Sequence, residues 1–296
     1  MRALSLATLH YKGKGQMIII PARLASTRFP RKILADIGGL PMLIKTAQNA
    51  MKNDEVCVAC DDESVLEVCK LHGVRAVMTS QSHQSGTDRC NEAAQILGLS
   101  DDEIIINIQA DEPFLESHVI EALQGVMKRG AWMGSCAKRI TQAQTLDPNL
   151  VKVVLNSANE AIYFSRSIIP YDRDYNLSRG KNAESKSTES SKVESKNAES
   201  KKADSSTIDS SAAESIASSA QYLGHLGVYG YSARSLKEFC ALPSSTADSP
   251  LEHIEKLEQL RAIYHKKPIA MTIVATESVG IDTPEDLERA LRLFGA

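Results

Sequence analysis

From Met17 onward, short apolar runs alternate with longer stretches of helical period, and this alternation restricts the chain to a narrow set of folds. Runs fall at Met17 to Ile20, Val56 to Ala59, Arg75 to Met78 and Ile104 to Ile108. Helical stretches near Pro41 to Met51, Ser64 to His72, Asp88 to Leu97 and Ser117 to Lys128 lie between or after them. The pattern predicts βαβ units and an α/β fold of three layers, α/β/α, around a mostly parallel, mixed central sheet. Right-handed crossovers then place the loops that follow the strands along one edge, where ligands bind in such sheets.

The second half departs from this rhythm. Strands are expected at Met133 to Lys138, Val151 to Leu155, Gly227 to Tyr231 and Ile269 to Ala275. One helix opens at Ser249-Pro250-Leu251-Glu252, where Ser249 can cap and Glu252 can reach back, and the last opens in the same way at Thr283-Pro284-Glu285-Asp286.

Met1 to Gln16 are basic and aperiodic and read as an extension or a start-site artefact, with Met17 as the alternative start. Between Ser178 and Ala220 the composition falls to Ser, Lys, Glu, Ala and Asn, and the hexamer Lys-Asn-Ala-Glu-Ser-Lys occurs at Lys181 and again at Lys196. A tract so poor in apolar surface cannot offset the entropy of ordering, and disorder or a frayed helix is expected.

With 296 residues, 43% of them apolar, the chain is long enough for two domains or one large α/β domain. A net charge of −3 argues against general binding to nucleic acid or to a membrane surface. No apolar run reaches the ~18 residues of a membrane span, so a cytoplasmic location is expected. Six cysteines are present. Cys57 and Cys60 form a C-x-x-C inside a strand-like run, where they point to opposite faces, and they read as buried thiols.

The chemistry concentrates where strands end. After Ile18-Ile19-Ile20 the chain breaks at Pro21-Ala22 into a small-residue loop with Arg23, Ser26, Thr27, Arg28, Arg31 and Lys32. That loop is either a solvated basic turn or a seat for a polyanion such as a triphosphate. His83-Gln84-Ser85-Gly86-Thr87-Asp88-Arg89 opens a helix and, taken alone, is a plain N-cap. Gln109-Ala110-Asp111-Glu112-Pro113 sets Asp111 at a strand end, as a solvated turn or as an oxygen ligand for Mg²⁺ beside phosphates. Asp282 precedes the last helix and on its own reads equally as part of a cap.

Taken together, these segments resemble the cytidylyltransferases that activate acidic sugars, most closely those acting on 3-deoxy-manno-octulosonate (KDO). The IIPAR opening with AST, Arg28, Pro30 and Lys32 carries the resemblance, although Arg31 stands where the family has a smaller residue. The helix-opening segment is similar to the family's HQSGTER, with Asp88 in place of glutamate. Further matches are Tyr163-Phe164-Ser165-Arg166, the segment His225 to Tyr231, and Pro250 to Arg261.

The resemblance implies a nucleotidyltransferase fold, with a CTP-binding half over 17–130 and a sugar-binding and dimerisation half over 131–177 and 221–296. It implies catalytic Arg23, Arg28, Lys32, Asp111 and Asp282, the two aspartates holding Mg²⁺. Nucleotide contacts fall to Pro21, Ala22, Arg23, Ser26, Thr27, Arg28, Lys32, Ser85, Gly86 and Thr87. Sugar contacts fall to Gln109, Arg166, His225, Tyr229, Glu255 and Gln259, with Glu255 and Gln259 expected on one face of the Pro250 helix. CTP and KDO would be the substrates, CMP-KDO for lipopolysaccharide synthesis the product, and a homodimer the assembly. A sialic-acid type cytidylyltransferase, a glycosyltransferase and a non-catalytic nucleotide-binding protein are the rivals. A glycosyltransferase usually shows Asp-x-Asp, which is missing at the Asp111 strand end.

Overall fold

A computed structural model describes residues 15–24, 29–173, 222–278 and 280–294. The first half runs β1 (Gln16–Ala22), a small hairpin of β2 (Asp36–Ile37) and β3 (Leu40–Pro41), α1 (Met42–Ala50), β4 (Val56–Cys60), α2 (Glu63–Leu71), β5 (Ala76–Met78), α3 (Gly86–Ile96), β6 (Ile104–Asn107) and α4 (Ser117–Lys128). The second runs β7 (Met133–Ile140), β8 (Lys152–Leu155), β9 (Ala161–Ser165), β10 (Tyr222–Ser232), α5 (Ala233–Cys240), α6 (Pro250–Glu255), α7 (Leu260–Tyr264), β11 (Ile269–Val274) and α8 (Pro284–Phe294). Gln16, expected in the extension, is the first residue of β1. The low-complexity tract over 178–220 lies outside the described residues.

The alternating apolar runs become one nine-stranded sheet in the order β11-β7-β10-β6-β1-β4-β5, with β8 and β9 joined at the side of β10. β1 pairs in parallel with β4 and β6, β4 with β5, and β11 with β7. β10 enters antiparallel between β6 and β7, which makes the sheet mixed as well as mostly parallel.

Strand alternation sorts the core into two layers. Ile18, Ile20, Val58 and Cys60 face α1, α2 and α4 through Leu43, Ile44, Val65, Cys69, Val119 and Leu123. Met17, Ile19, Cys57 and Ala59 face α3, α5 and α7 through Cys90, Ala93, Leu236, Phe239 and Leu260. Each such fully buried isoleucine contributes ~1.5–3 kcal/mol over its exposed state. Cys57 and Cys60 therefore do point to opposite faces as buried thiols, with burial raising their pKa values to about 12 and about 11. A smaller cluster of Ile37, Met42, Ile281 and Ala290 ties α8 to the start of α1, and Phe294 stacks on Phe114 at 4.5 Å. That contact brings the C-terminal segment back to the edge where β1 and β6 end.

Three local expectations change. Ser249 stands at the start of α6, but its hydroxyl makes no cap and Glu252 does not reach back, because Glu252 pairs with Arg261 at 2.6 and 2.9 Å. The expected single helix from Pro250 breaks after Glu255, where Lys256 takes φ 56°, and α7 starts afresh at Leu260. Glu255 and Gln259 thus share no helix face. At α8 the box does form, since Thr283 Oγ1 accepts from the Asp286 amide and Asp286 Oδ2 accepts from the Thr283 amide. No helix among the described residues is long and apolar enough to cross a membrane.

Candidate active site

A cavity opens at the carboxyl edge of the sheet, lined by Pro21 and Arg23 from the end of β1, by His83, Gln84, Ser85, Gly86 and Arg89 around the start of α3, and by Gln109 beyond β6. Its shape depends on a missing side chain. A Cβ on Gly86 would lie 3.1 Å from Pro21 Cγ and 3.8 Å from Gln109 Oε1, so a larger residue would close the gap between α3 and β1. Ser85 does cap α3, accepting from the Asp88 amide at 3.1 Å and donating to its carboxylate at 2.9 Å. The cap and the cavity wall are one structure, which leaves the first amides of α3 beside the cavity.

Buried polar pairs hold this wall in place. Arg89 donates to Asp61 at 2.9 Å and to Thr79 at 2.7 Å, and Asp61 also accepts from the Leu24 amide at 3.4 Å. His83 Nε2 lies 2.5 Å from Glu92. His83 and Arg89 belong to a segment the sequence singles out, yet their place in the lining could not be read from it. Ser26, Thr27 and Arg28 lie outside the described residues.

Beside the cavity, Lys32, Asp111 and Asp282 converge. Lys32 Nζ donates to Asp111 Oδ2 at 2.6 Å and to Asp282 Oδ1 at 2.9 Å. Burial alone would depress this ammonium, but the charge of Asp111 and the hydrogen bonds from both carboxylates outweigh it and hold the pKa above its ordinary value. The Ile281 amide donates to the Asp111 carbonyl at 3.0 Å, and Ser278 donates to Glu112 at 3.1 Å, so the loop carrying Asp282 is stitched to the turn carrying Asp111. Glu112 titrates high, at about 7, because of burial and then the neighbouring Asp111 charge. As a donor set, two carboxylates meeting at a strand end fit Mg²⁺, which commonly takes one or two carboxylates and completes its shell with phosphate and water oxygens.

The remaining predicted residues gather around β8, β9 and β10. His225 stands edge-on to Phe164 at 4.9 Å and 5.5 Å from Tyr229, ring centre to ring centre. Its pairing partner is Ala137 and that of Tyr229 is Ser135, because the register of β10 on β7 shifts between Leu226 and Tyr229. The Ser135 hydroxyl donates to the Val228 carbonyl at 2.8 Å and lies 2.9 Å from His225 Nε2. Having one proton to give, Ser135 accepts from His225, which places that proton on Nε2 and leaves Nδ1 as an acceptor. Burial pushes His225 down to about 3, so it works as a neutral imidazole. Burial likewise holds the Tyr229 phenol well above its ordinary value.

Arg166 leaves β9 with its Nε on the Glu255 carbonyl and Nη1 on the Pro148 carbonyl, both at 3.0 Å. The Glu255 carboxylate accepts from Ser165 Oγ at 2.6 Å and from the Arg166 amide at 3.0 Å, which makes Glu255 an anchor for Arg166. Gln109 lines the cavity beside Gly86 instead of joining this group, and Thr87 turns its hydroxyl away to Glu258 at 2.5 Å. Glu258, absent from the residues proposed from sequence, joins α3 to the segment before α7, and burial raises its pKa. Nothing in the acid-rich stretch Glu252 to Glu258 marks which carboxylate reaches Thr87.

Comparison with known proteins agrees with this arrangement. A family model described as Cytidylyltransferase matches residues 17–269. The chain is 47% identical over 279 residues to the 3-deoxy-manno-octulosonate cytidylyltransferase of Helicobacter pylori, covering 94% of this chain and 97% of the relative. It is also 47% identical to the enzyme of that name from Wolinella succinogenes, covering 94% and 99%. A CMP:2-keto-3-deoxy-manno-octonic acid synthetase solved in complex with CTP superposes with a TM-score of 0.73 at 32% identity, over 95% of this chain and 98% of that one. The 4-diphosphocytidyl-2C-methyl-D-erythritol synthase of Anaerococcus prevotii, 12% identical with a TM-score of 0.51 over 95% and 100% of the two chains, shares the fold. The sheet order, the cavity at its carboxyl edge and a match across nearly the whole length agree: the chain belongs to the cytidylyltransferase family.

Proposed function

We propose that this protein transfers the cytidylyl group of CTP to 3-deoxy-manno-octulosonate, giving CMP-KDO and diphosphate for lipopolysaccharide synthesis. The observation that carries the reading is the meeting of Lys32, Asp111 and Asp282 at one nitrogen, across as many as 250 positions of sequence, next to a cavity sized by Gly86. A cation and two carboxylates at a strand edge suit phosphoryl chemistry, which rests on positioning and charge neutralisation.

In this reading the base and ribose occupy the cavity between Pro21 and the start of α3. Arg23, Arg28 and Lys32 face the triphosphate and draw charge from the departing diphosphate. Asp111 and Asp282 would hold Mg²⁺, which would supply polarisation of the α-phosphate. Arg166 takes the sugar carboxylate, while neutral His225 offers Nδ1 to a sugar hydroxyl and Tyr229 and Gln259 line its path. The anomeric hydroxyl attacks the α-phosphorus in line, the bond to the bridging oxygen breaks and diphosphate leaves opposite. The assembly is a homodimer in the cytoplasm.

Diphosphate release with CTP alone, CTP plus KDO and CTP plus sialic acid tests the reading. Release is expected with KDO only. Release with sialic acid at a comparable kcat/KM would replace the substrate assignment, and no release with either sugar would remove the enzyme reading.

A further inference from the structure

Lys152 is the most deeply buried charged side chain that the proposed mechanism leaves unused. It is fully inaccessible, at the first position of β8, with Gly224 of β10 on one side and Ser165 of β9 on the other. Its Nζ donates to the Arg166 carbonyl at 2.5 Å and to the Asp147 carbonyl at 3.0 Å. A lysine is a costly way to satisfy two carbonyls, because its charge is desolvated and its long stem is immobilised.

Its neighbours give the charge a use. Arg166 is gripped at four points: its amide and Nε by the carboxylate and carbonyl of Glu255, its carbonyl by Lys152, and its Nη1 by Pro148. Lys152 and Arg166 are balanced by the carboxylates of Asp147 and Glu255, both close enough to act on the Lys152 charge. The buried ammonium and the half-buried guanidinium repel, which favours an outward-facing guanidinium held by its backbone. Nη2 of Arg166 has no partner among the described residues and can receive a carboxylate.

Resting on the reading that Arg166 takes the sugar carboxylate, we infer that Lys152 is a positioning residue for Arg166, fixing the backbone from which its guanidinium projects. Lys152 touches no substrate. Its effect is confined to the sugar side, since the cavity around Gly86 shares no residue with this cluster.

A double-mutant cycle separates positioning from mere structural support. Arg166→Ala should raise the KM for KDO about tenfold or more with the CTP KM within about twofold, and Lys152→Met should do the same to a smaller extent. In the Arg166→Ala background, Lys152→Met should add nothing to the KDO KM. Lys152→Arg should restore part of the loss. If Lys152→Met lowers Tm but leaves the KDO KM alone, or if its effect adds fully to that of Arg166→Ala, the inference is wrong. If Arg166→Ala itself leaves the KDO KM unchanged, the placement of the sugar carboxylate fails first and the inference fails with it. Should Lys152→Met not fold, Lys152→Gln, which retains donors without charge, is read by the same criteria.

Discussion

The two sides of the site are built on opposite plans. The proposed nucleotide side is made of short contiguous segments, Pro21 to Arg23 and His83 to Arg89, each closing the end of a strand or the start of a helix. The proposed sugar side is assembled from single residues far apart in sequence, Arg166, His225 and Glu255, held by part-buried hydrogen bonds to side chains and to a carbonyl. Contiguous segments carry their function in local backbone geometry, so each segment can be recognised alone. A dispersed network carries it in contacts, and no single segment states what it touches.

The sharpest way to break this contrast is at the place where contiguous and distant elements meet. Asp111→Asn and Asp282→Asn should each lower turnover by about a thousandfold or more while circular dichroism stays native, because each removes an anionic ligand from a site that fits Mg²⁺. Near-normal diphosphate release at limiting Mg²⁺ by either variant would show that the pair is structural. A smaller effect is expected from Gly86→Ala. Its Cβ would press on Pro21 at 3.1 Å, and the CTP KM should rise about tenfold with the KDO KM unchanged. A rise in both constants would mean that the two sides are not separate.

The sides should also differ in their response to pH. Glu112 on the nucleotide side has its pKa raised to about 7 from 4.5, so its contribution to stability is full below the unfolded value and lost as pH rises through about 7. Glu112→Gln should therefore flatten a decline of about 1–2 kcal/mol between pH ~5 and ~7.5 in chemical denaturation. His225 shifts the other way, from 6.5 to about 3, and its contribution is full above the unfolded value and is lost progressively as pH falls from about 6.5 through about 3. A histidine titration near neutrality in the KDO KM would contradict its neutral state. The smallest effect is expected from removing 178–220, on composition alone: added loop length costs only ~0.6 kcal/mol per doubling, so Tm and KDO-dependent turnover should match the full chain. A large loss of either would give that tract a role on the sugar side.

The same contrast explains what was legible in the sequence. Parallel strands with two buried faces leave uninterrupted apolar runs, and β1, β4 and β6 were recoverable from them, as was the α/β/α layering. β9, with its partly exposed Ala161 to Tyr163, and the short helices α5 and α7 carry no such run. Capping residues were readable at α8 but misleading at α6, where the competing partner of Glu252 is Arg261, nine residues on and invisible to a local rule. Lys32, Asp111 and Asp282 were named through motifs, whereas their convergence on one nitrogen required the fold. Lys152 was missed because what distinguishes it is burial, and Glu258 because what distinguishes it is a bond to Thr87 far away in sequence, neither of which the letters around them encode.

The register shift in β10 has a consequence for how such a site can change. In a regular strand, residues four apart are separated by ~13 Å, yet the rings of His225 and Tyr229 lie 5.5 Å apart because β10 advances three residues from Leu226 to Tyr229 while β7 advances one. A two-residue deletion at Gly227-Val228 would restore an unbroken ladder and improve the sheet as a sheet. It would leave His225 opposite Ala137 and Tyr229 opposite Ser135, but it would remove the Val228 carbonyl that fixes the Ser135 proton. Pressure for stability alone would erase the irregularity, so its persistence in a chain measures how much the proposed sugar pocket demands of the scaffold that bears it.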